Sequence, residues 1–401
     1  MNTPAHDLFA GDDGETRRFG FRSAPRQKFA PWHKARKQFI RSEHWGAEIQ
    51  NLLMDTGSSS PIKYFGLPGN DMLDLRYFVS EYFPARTPKL RFLAFDRLGR
   101  QGNSWDSASA TGSLAALRRM DGVDNRSEVF DEELALIGEP DSLASERFNA
   151  AGPFDIVNID LTDGVAKSSN ESAPSMYAAI AHIFDLQRRQ KRPWLFFLTT
   201  RYDSMNVHRD ARNHFGSIIL KNLDQCASFA HAYDRCFPDQ RPAFGTPWST
   251  DATAVGICKW LVDLAVNIGC EVAIRWVAKY RVQDSAGEPD MLSLVIRVTP
   301  DLRPAGVRAI GVLPLKVDEC LQAKQIPGAV KDSLDVDKLM QVDEPARDRA
   351  LADTADLLVA TGRYSADEYF RWIADGAPSR QVEAPQQRQP VSELAPRGAP
   401  G

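Results

Sequence analysis

The segments EVAIRWVAKY (271–280) and MLSLVIRV (291–298) decide the fold. Both contain several β-branched residues, which are enriched in strands. Only the short stretch 281–290 separates them, and it is too short for the helical crossover that parallel strands require. The two segments are therefore predicted to pair as an antiparallel hairpin.

Upstream of this hairpin, short apolar runs alternate with helical stretches. This alternation predicts a parallel sheet covered on both faces by helices. The near-continuous apolar character of the runs agrees, because a strand buried on both sides has no polar face. The strands are predicted at 62–66, 90–96, 127–130, 154–161 and 194–200.

Composition shifts divide the chain into five segments. A basic segment without periodicity comes first, and an α/β domain follows it with its own N-terminal helix. A Pro- and Gly-rich connector, a pair of helices and a Pro- and Gln-rich tail come after the hairpin. The predicted bounds are a flexible segment at 1–28, an α/β domain at 29–300 (helix 29–54, core 60–300), an irregular connector at 301–343, a helical hairpin at 344–375 and a disordered tail at 376–401.

Composition also limits the function classes. The 401 residues are 43% hydrophobic and 25% charged, with a formal net charge of -4, so any contact with nucleic acid requires a local basic patch. No apolar run is long enough to span a bilayer, and the N-terminus lacks the features of a secretory signal. The five cysteines form an odd set without a CxxC motif, and we expect reduced thiols in a cytoplasmic protein without membrane contact.

The order of elements resembles the Rossmann-like fold of S-adenosylmethionine-dependent methyltransferases, whose seven-stranded sheet ends in a reversed strand. The resemblance covers about residues 60–300. It implies an α/β fold with a mostly parallel seven-stranded sheet and a terminal antiparallel hairpin, to which this chain adds an N-terminal basic helix and a C-terminal helical pair. The Trp-containing helix before a strand ending in Phe65-Gly66-Leu67-Pro68-Gly69 also resembles the methyltransferase-like partner proteins of three-cysteine-motif systems.

The resemblance implies an S-adenosylmethionine site at Gly66, Gly69 and Asp96. Glycines at a strand end let the backbone approach a nucleoside, and a carboxylate accepts hydrogen bonds from ribose hydroxyls. The family has a denser glycine run, however, and Pro68 removes one amide donor here. The alternatives are an ordinary Gly-x-x-Gly turn and an acid that caps a helix or pairs with a neighbouring arginine.

Asp160 and Asp163 lie in the segment 158–164 that ends the fourth strand, where methyltransferases hold their reactive group. They are candidates for orienting a substrate or for acid–base catalysis. The segment has neither an Asp-Pro-Pro-Tyr motif nor the Pro-Cys of a cytosine-carbon methyltransferase. An ordinary loop is the alternative.

Two basic groups are candidates for phosphate contact. The first lies on the N-terminal helix and the second follows the fifth strand, and the alternative for both is a solvated helix face. Two histidines near the second group, His208 and His214, have no third ligand, and no metal site is expected. The candidates for DNA or RNA contact are Lys34, Arg36, Lys37, Arg41, Arg201, Arg209 and Arg212.

Two functional hypotheses follow. The first is a methyltransferase-like enzyme that acts on an acceptor such as nucleic acid. The second is a non-catalytic binding component of a bacterial multi-protein system, for example in phage defence, with protein partners at the C-terminal helical pair. The sequence has no P-loop, nucleophile elbow or His-Glu-x-x-His motif, so the common classes that use them are disfavoured.

Overall fold

The structure is a computed structural model in which most of the chain is described. The described residues are 28–57, 60–84, 88–96, 104–166, 174–203, 205–242, 249–282, 287–301 and 317–376, with 104–110 described only as part of a helix. The predicted flexible segment at 1–28 and disordered tail at 376–401 fall almost entirely outside this range.

One eight-stranded sheet organises the fold, in the order β3-β2-β1-β4-β5-β7-β6-β8. The first five strands are parallel, whereas β7 runs antiparallel to both β5 and β6, and β8 is parallel to β6. This confirms the Rossmann-like, mostly parallel sheet and its antiparallel hairpin. The strands are β1 Ile62–Gly66, β2 Leu90–Phe95, β3 Glu128–Phe130, β4 Ile156–Gly164, β5 Trp194–Arg201, β6 Cys270–Tyr280, β7 Met291–Pro300 and β8 Leu334–Asp335.

Helices cover both faces of the sheet. In β5, Phe196 and Leu198 belong to the apolar core on one face, and Leu195 and Phe197 belong to the core on the other. Alternate side chains of a strand point to opposite faces, so a strand buried on both sides must be apolar throughout. The helices are α1 Ala35–Phe39, α2 Ala47–Thr56, α3 Leu73–Tyr82, α4 Ser104–Leu117, α5 Leu143–Ala151, α6 Met176–Gln187, α7 Arg209–Gln225, α8 Ala227–Cys236, α9 Thr250–Asn267, α10 Glu319–Ala323, α11 Ile326–Lys331, α12 Val336–Val342, α13 Glu344–Val359 and α14 Ala366–Ala374.

The N-terminal helix, here residues 35–56, consists of α1, a π-helical segment Ile40–Gly46 and α2. A short 3₁₀ turn, Pro31–His33, precedes it, and Gly57 ends it in the left-handed conformation, with φ +49°. Trp45 and Ile49 are fully buried on the sheet, and the Trp45 ring stacks on Phe197 at 5.7 Å. One side of the N-terminal helix is therefore apolar and packs on the sheet.

The segment after the hairpin differs from its prediction. An irregular connector at 301–343 is wrong for residues 317–343, because α10, α11, β8 and α12 lie there. Strand β8 adds an eighth strand next to Ala278 and Lys279 of β6. Each of these elements is too short for hydrophobic periodicity to identify, and the protein core stabilises them.

The expectation that all the cysteines are reduced is also wrong. Cys226, between α7 and α8, forms a disulfide with Cys320 in α10, and the two Cα atoms lie 5.5 Å apart. The other three cysteines are free. Sequence spacing alone did not indicate this pair, because the tertiary fold brings the two positions together. Among the described residues, no helix is long and apolar enough to cross a membrane.

The C-terminal pair α13 and α14 packs on the rest of the fold. Gly362, with φ +72°, forms part of the turn between the two helices, and Tyr369 is fully buried. Helix α13 contacts α1 and α3. Phe29, Leu73, Leu358 and Tyr369 form a third apolar cluster, which joins the pair to the N-terminal segment and to α3.

Candidate functional site

The carboxyl rim, defined here as the sheet edge where β1, β2, β4 and β5 end, carries the predicted cofactor-binding and catalytic residues. Gly66 is the last residue of β1 and pairs with Ala94 of β2 and with Asn158 of β4. Asp96 directly follows β2, and its backbone N–H donates to the carbonyl oxygen of Phe130 at 3.0 Å. The turn 66–69 and Asp96 therefore lie on neighbouring strand ends, as predicted.

The two glycines of the turn have different surroundings. A Cβ atom on Gly66 would lie 2.5 Å from the carbonyl oxygen of Asn158 and 2.9 Å from the hydroxyl oxygen of Tyr64. Packing between β1 and β4 therefore explains Gly66 by itself. Gly69 has φ +61° and open space where a Cβ would lie. It leaves an accessible stretch of backbone at the rim.

Half-buried apolar side chains accompany Asp96 at the rim. Leu67 follows β1, Phe130 ends β3, and Leu161 lies near the end of β4. The Arg147 guanidinium lies 3.9 Å from the centroid of the Phe130 ring, a cation–π contact. Asp96 is half-buried and has Phe130 as its backbone partner. A carboxylate bordered by apolar surface is the usual character of a small-molecule site.

Asp160, inside β4 and opposite Thr199 of β5, is paired with Lys37 of the N-terminal helix. Lys37 Nζ lies 2.6 Å from Asp160 Oδ1 and 3.5 Å from Thr199 Oγ1. The same ammonium lies 4.3 Å from the centroid of the Trp45 ring. Burial raises the pKa of the Asp160 carboxyl, and the nearby Asp74 adds to the rise, while Lys37 and Arg41 oppose it.

Asp163 does not share this environment. Its side chain is exposed near the end of β4, and its carbonyl oxygen accepts a hydrogen bond from Thr200 Oγ1 at 3.3 Å. A bulge interrupts the pairing of β4 with β5 between Asp160 and Gly164. The two predicted catalytic acids thus lie near one strand end in different environments, one half-buried and ion-paired and the other exposed.

Arg41 forms a second buried ion pair of the N-terminal helix. Its Nε and Nη2 atoms each lie 2.7 Å from Asp74 Oδ1, and its Nη1 donates to Gln38 Oε1 at 2.7 Å. Asn158 Nδ2 donates to Asp74 Oδ2 at 3.5 Å. This network connects the helix with α3 and with β4.

The alternative of a solvated helix face is wrong for the first basic group, because most of its cations are buried. Lys34, Lys37 and Arg41 are 6%, 4% and 3% exposed. Arg36 pairs with Asp337 at 3.2 Å and donates to the carbonyl oxygen of Arg281. The helix begins near the carboxyl rim and runs along one face of the sheet, where carboxylates distant in sequence become its partners. Helical periodicity has no information about these distant partners.

The second basic group is more accessible. Arg201, the last residue of β5, pairs with Asp290 at 2.6 Å and is half-buried. Arg209 begins α7 and is exposed, and Arg212 is half-buried on the same helix. The structure therefore brings Arg201 to the rim and places Arg209 on the surface of the next helix.

Sequence reasoning missed a junction at Asp71. Its carboxylate accepts a hydrogen bond from Tyr364 Oη at 2.9 Å, pairs with Arg363, and lies 3.6 Å from His33 Nε2. Burial raises the pKa of Asp71, but His33, Arg363 and Tyr364 outweigh burial and hold the pKa below its ordinary value. The signal available in the sequence was the acid directly after the turn 66–69. Its partners come from both ends of the chain.

In the part of the chain that the structure describes, no cluster of side chains supports a metal site. No group of three or more histidine, cysteine, aspartate or glutamate residues there could hold a metal ion.

Comparison with solved structures gives weak similarities. Trm1 from Pyrococcus horikoshii in complex with S-adenosyl-L-methionine is 8% identical, with a TM-score of 0.30, and the match covers 68% of this chain and 56% of Trm1. MtNAS in complex with MTA and tNA is 11% identical, with a TM-score of 0.23, and the match covers 67% of this chain and 70% of MtNAS. None of the curated proteins matches the chain.

The comparison with family models gives one match over most of the chain. The PP_RS20740-like model matches residues 26–374, which include the N-terminal helix, the whole sheet and the C-terminal pair. The chain therefore belongs to the PP_RS20740-like family.

Proposed function

We propose that this chain binds S-adenosylmethionine at the carboxyl rim and transfers its methyl group to an acceptor beside Asp160. The observation that carries the proposal is the placement of the open, left-handed turn at Gly69 next to Asp96, on neighbouring ends of β1 and β2. Ligands of open α/β sheets bind outside the carboxyl ends of the strands. The strand β7 runs antiparallel to β5, and a reversed strand of this kind is also part of the methyltransferase fold that the order of elements resembles.

The residues at this edge fit a nucleoside cofactor. The Asp96 carboxylate would accept hydrogen bonds from ribose hydroxyls, and the open backbone at Gly69 would allow close approach of the amino-acid end. Leu67 and Phe130 would supply apolar contact for a base. When bound, S-adenosylmethionine supplies a methyl group on a positively charged sulfur.

Acceptor binding is the second part of the proposal. Asp160 and Asp163 lie near the end of β4, and Arg201 lies at the end of the neighbouring β5. Arg209 and Arg212 on α7 add positive charge after this strand. An anionic acceptor such as DNA or RNA would be held by these arginines, because phosphates are bound mainly through lysine and arginine.

Calorimetric titration with S-adenosylmethionine tests the cofactor site. Asp96→Ala is expected to weaken binding about tenfold or more, because it removes hydrogen bonds to a charged acceptor. Gly69→Trp should also weaken binding by filling the turn. Gly269→Trp is its matched control, since Gly269 has a positive φ and open surroundings but precedes β6, at the opposite end of the strands. Absence of binding by the wild type at millimolar cofactor would remove the proposal.

A non-catalytic binding component is the second candidate. The observation that favours it is the pairing of Asp160 with a buried lysine beneath the N-terminal helix, together with the packing explanation for Gly66. In this case the protein binds nucleic acid without methylating it, and Arg209→Ala weakens binding and reduces its dependence on salt. Tritium transfer from methyl-labelled S-adenosylmethionine into a dialysed bacterial lysate would contradict this second candidate.

A further inference from the structure

Lys37 and Asp160 form an ion pair that connects the N-terminal helix to the end of β4. The pair is made at 2.6 Å, with Lys37 almost fully buried and the Asp160 side chain 22% exposed. The ammonium also faces Thr199 and the Trp45 ring. A lysine held on three sides has a fixed position, which a surface lysine does not have.

We infer that Lys37 is a positioning residue, which holds Asp160 ionised and oriented at the carboxyl rim for a protic acceptor. The inference rests on the proposed function, and it moves Lys37 from a nucleic-acid surface to the reaction site. Because Lys37 occupies Oδ1, Oδ2 is the oxygen that would take a proton from an acceptor N–H or O–H. The acceptor class is thus an amine, amide or hydroxyl group.

The charges around Asp160 support this role. Asp160 faces Asp74 on α3, Arg41 and Lys37 on the N-terminal helix, and the hydroxyls of Tyr64 on β1 and Tyr280 on β6. Burial and Asp74 both favour the protonated carboxyl. The two cations oppose them, and Lys37 is the one in direct contact. Without Lys37, a carboxyl in this position would hold its proton more tightly, so the ion pair keeps Asp160 in its ionised, proton-accepting form to a lower pH.

Titration of Asp160 tests the inference. Aspartate is labelled with carbon-13 at Cγ, and the resonance of Asp160 is assigned by its loss in Asp160→Asn. Lys37→Gln keeps a hydrogen-bond donor but removes the positive charge. It should raise the midpoint of the Asp160 titration by about one pH unit or more, which is a tenfold increase in the proton affinity of this carboxyl. Lys37→Arg should restore the midpoint. Lys338→Gln, at an exposed lysine, is the control and should leave it unchanged.

An unchanged midpoint in Lys37→Gln would overturn the inference, as would an equal rise in Lys37→Arg. If Lys37→Gln does not fold, the wild type provides a second measurement. The resonance of the Lys37 side-chain nitrogen should move as Asp160 takes up its proton, with the same midpoint as the Asp160 carboxyl carbon, and a nitrogen resonance that does not respond would refute the pairing.

Cofactor binding separates this inference from the proposed function. Lys37→Gln should bind S-adenosylmethionine within about threefold of the wild type, because Lys37 contacts β4 and β5 and not the turn 66–69 or Asp96. Failure of the wild type to bind the cofactor would remove the proposed function and leave the titration result valid. A strong loss of cofactor binding in Lys37→Gln alone would place Lys37 in the cofactor site and overturn its assignment to Asp160.

Discussion

Arg41 is a charged side chain held in the interior by several partners at once. It is 3% exposed. Its Nε and Nη2 atoms both face one oxygen of Asp74, and its Nη1 atom donates to Gln38. Burial of a charge is costly unless the charge is paired and hydrogen-bonded. The structure supplies that pairing, whereas the sequence showed only a cation in a basic run.

Replacement of Arg41 is therefore expected to destabilise the fold strongly. Arg41→Ala leaves Asp74 buried without its ion-pair partner, and such a loss costs about 3–5 kcal/mol of unfolding free energy. Arg188→Ala is the matched control, because it removes an arginine from an exposed pair with Asp185 and should cost at most about 1 kcal/mol. Chemical denaturation of both variants measures the difference. Equal losses of unfolding free energy in the two variants would mean that the ion pair of Arg41 with Asp74 is solvated in solution.

At the scale of elements, the accuracy of the sequence predictions depended on the length and the apolar content of each helix or strand. The parallel strands β1 to β5, the hairpin of β6 and β7, and the helices α13 and α14 were predicted within a few residues, because each has a strong apolar period or a clear turn. The short elements α10, α11, β8 and α12 were missed. Side-chain amides of Gln322 and Gln325 bind the backbone of β6 at Val272 and Ile274, so this region depends on tertiary partners.

The disulfide between Cys226 and Cys320 in α10 leads to a prediction about the stability of the fold. It closes a loop with a sequence separation of 94 residues, and cross-links of this kind typically stabilise a fold by about 2–4 kcal/mol. The double variant Cys226→Ser with Cys320→Ser should lose that amount relative to the oxidised wild type. Cys236→Ser, at a free and half-buried cysteine, is the control.

Thiol counting checks the same pair independently of stability. The denatured, non-reduced protein should show the three thiols of the free cysteines. Five reactive thiols would mean that the bond is absent, in agreement with the reduced state that the sequence suggested.

At the scale of the whole molecule, described segments from the N-terminal and C-terminal parts of the sequence meet beside the carboxyl rim. Helix α1 contacts α12 and α13, and the Asp71 junction joins His33 to Arg363 and Tyr364. The sequence predicted which strand ends form the rim, and therefore placed Gly69, Asp96 and Asp160 correctly relative to one another. It did not predict the partners of Asp71 and Asp160, because pairing across the chain leaves no local pattern.

His44 provides a prediction about how acid affects this assembly. Burial lowers the pKa of His44 to about 4, and among the described residues neither ring nitrogen has a hydrogen-bond partner. The imidazole stacks on Trp276 of β6 at 4.6 Å and so connects the N-terminal helix to that strand. Protonation would place a charge in this contact without an acceptor for it.

The folded pKa of His44 lies below its unfolded value, so the unfolded chain binds the proton more readily. The neutral ring therefore contributes stability that is complete above about pH 6.5 and is lost as the pH falls towards 4. The loss amounts to about 3 kcal/mol. His44→Phe keeps an aromatic ring on Trp276 without a titrating group, and its unfolding free energy should fall less over this range. His231→Gln, at an exposed histidine, should follow the wild type. Parallel pH profiles of His44→Phe and the wild type would show that His44 is accessible to solvent protons in the folded protein.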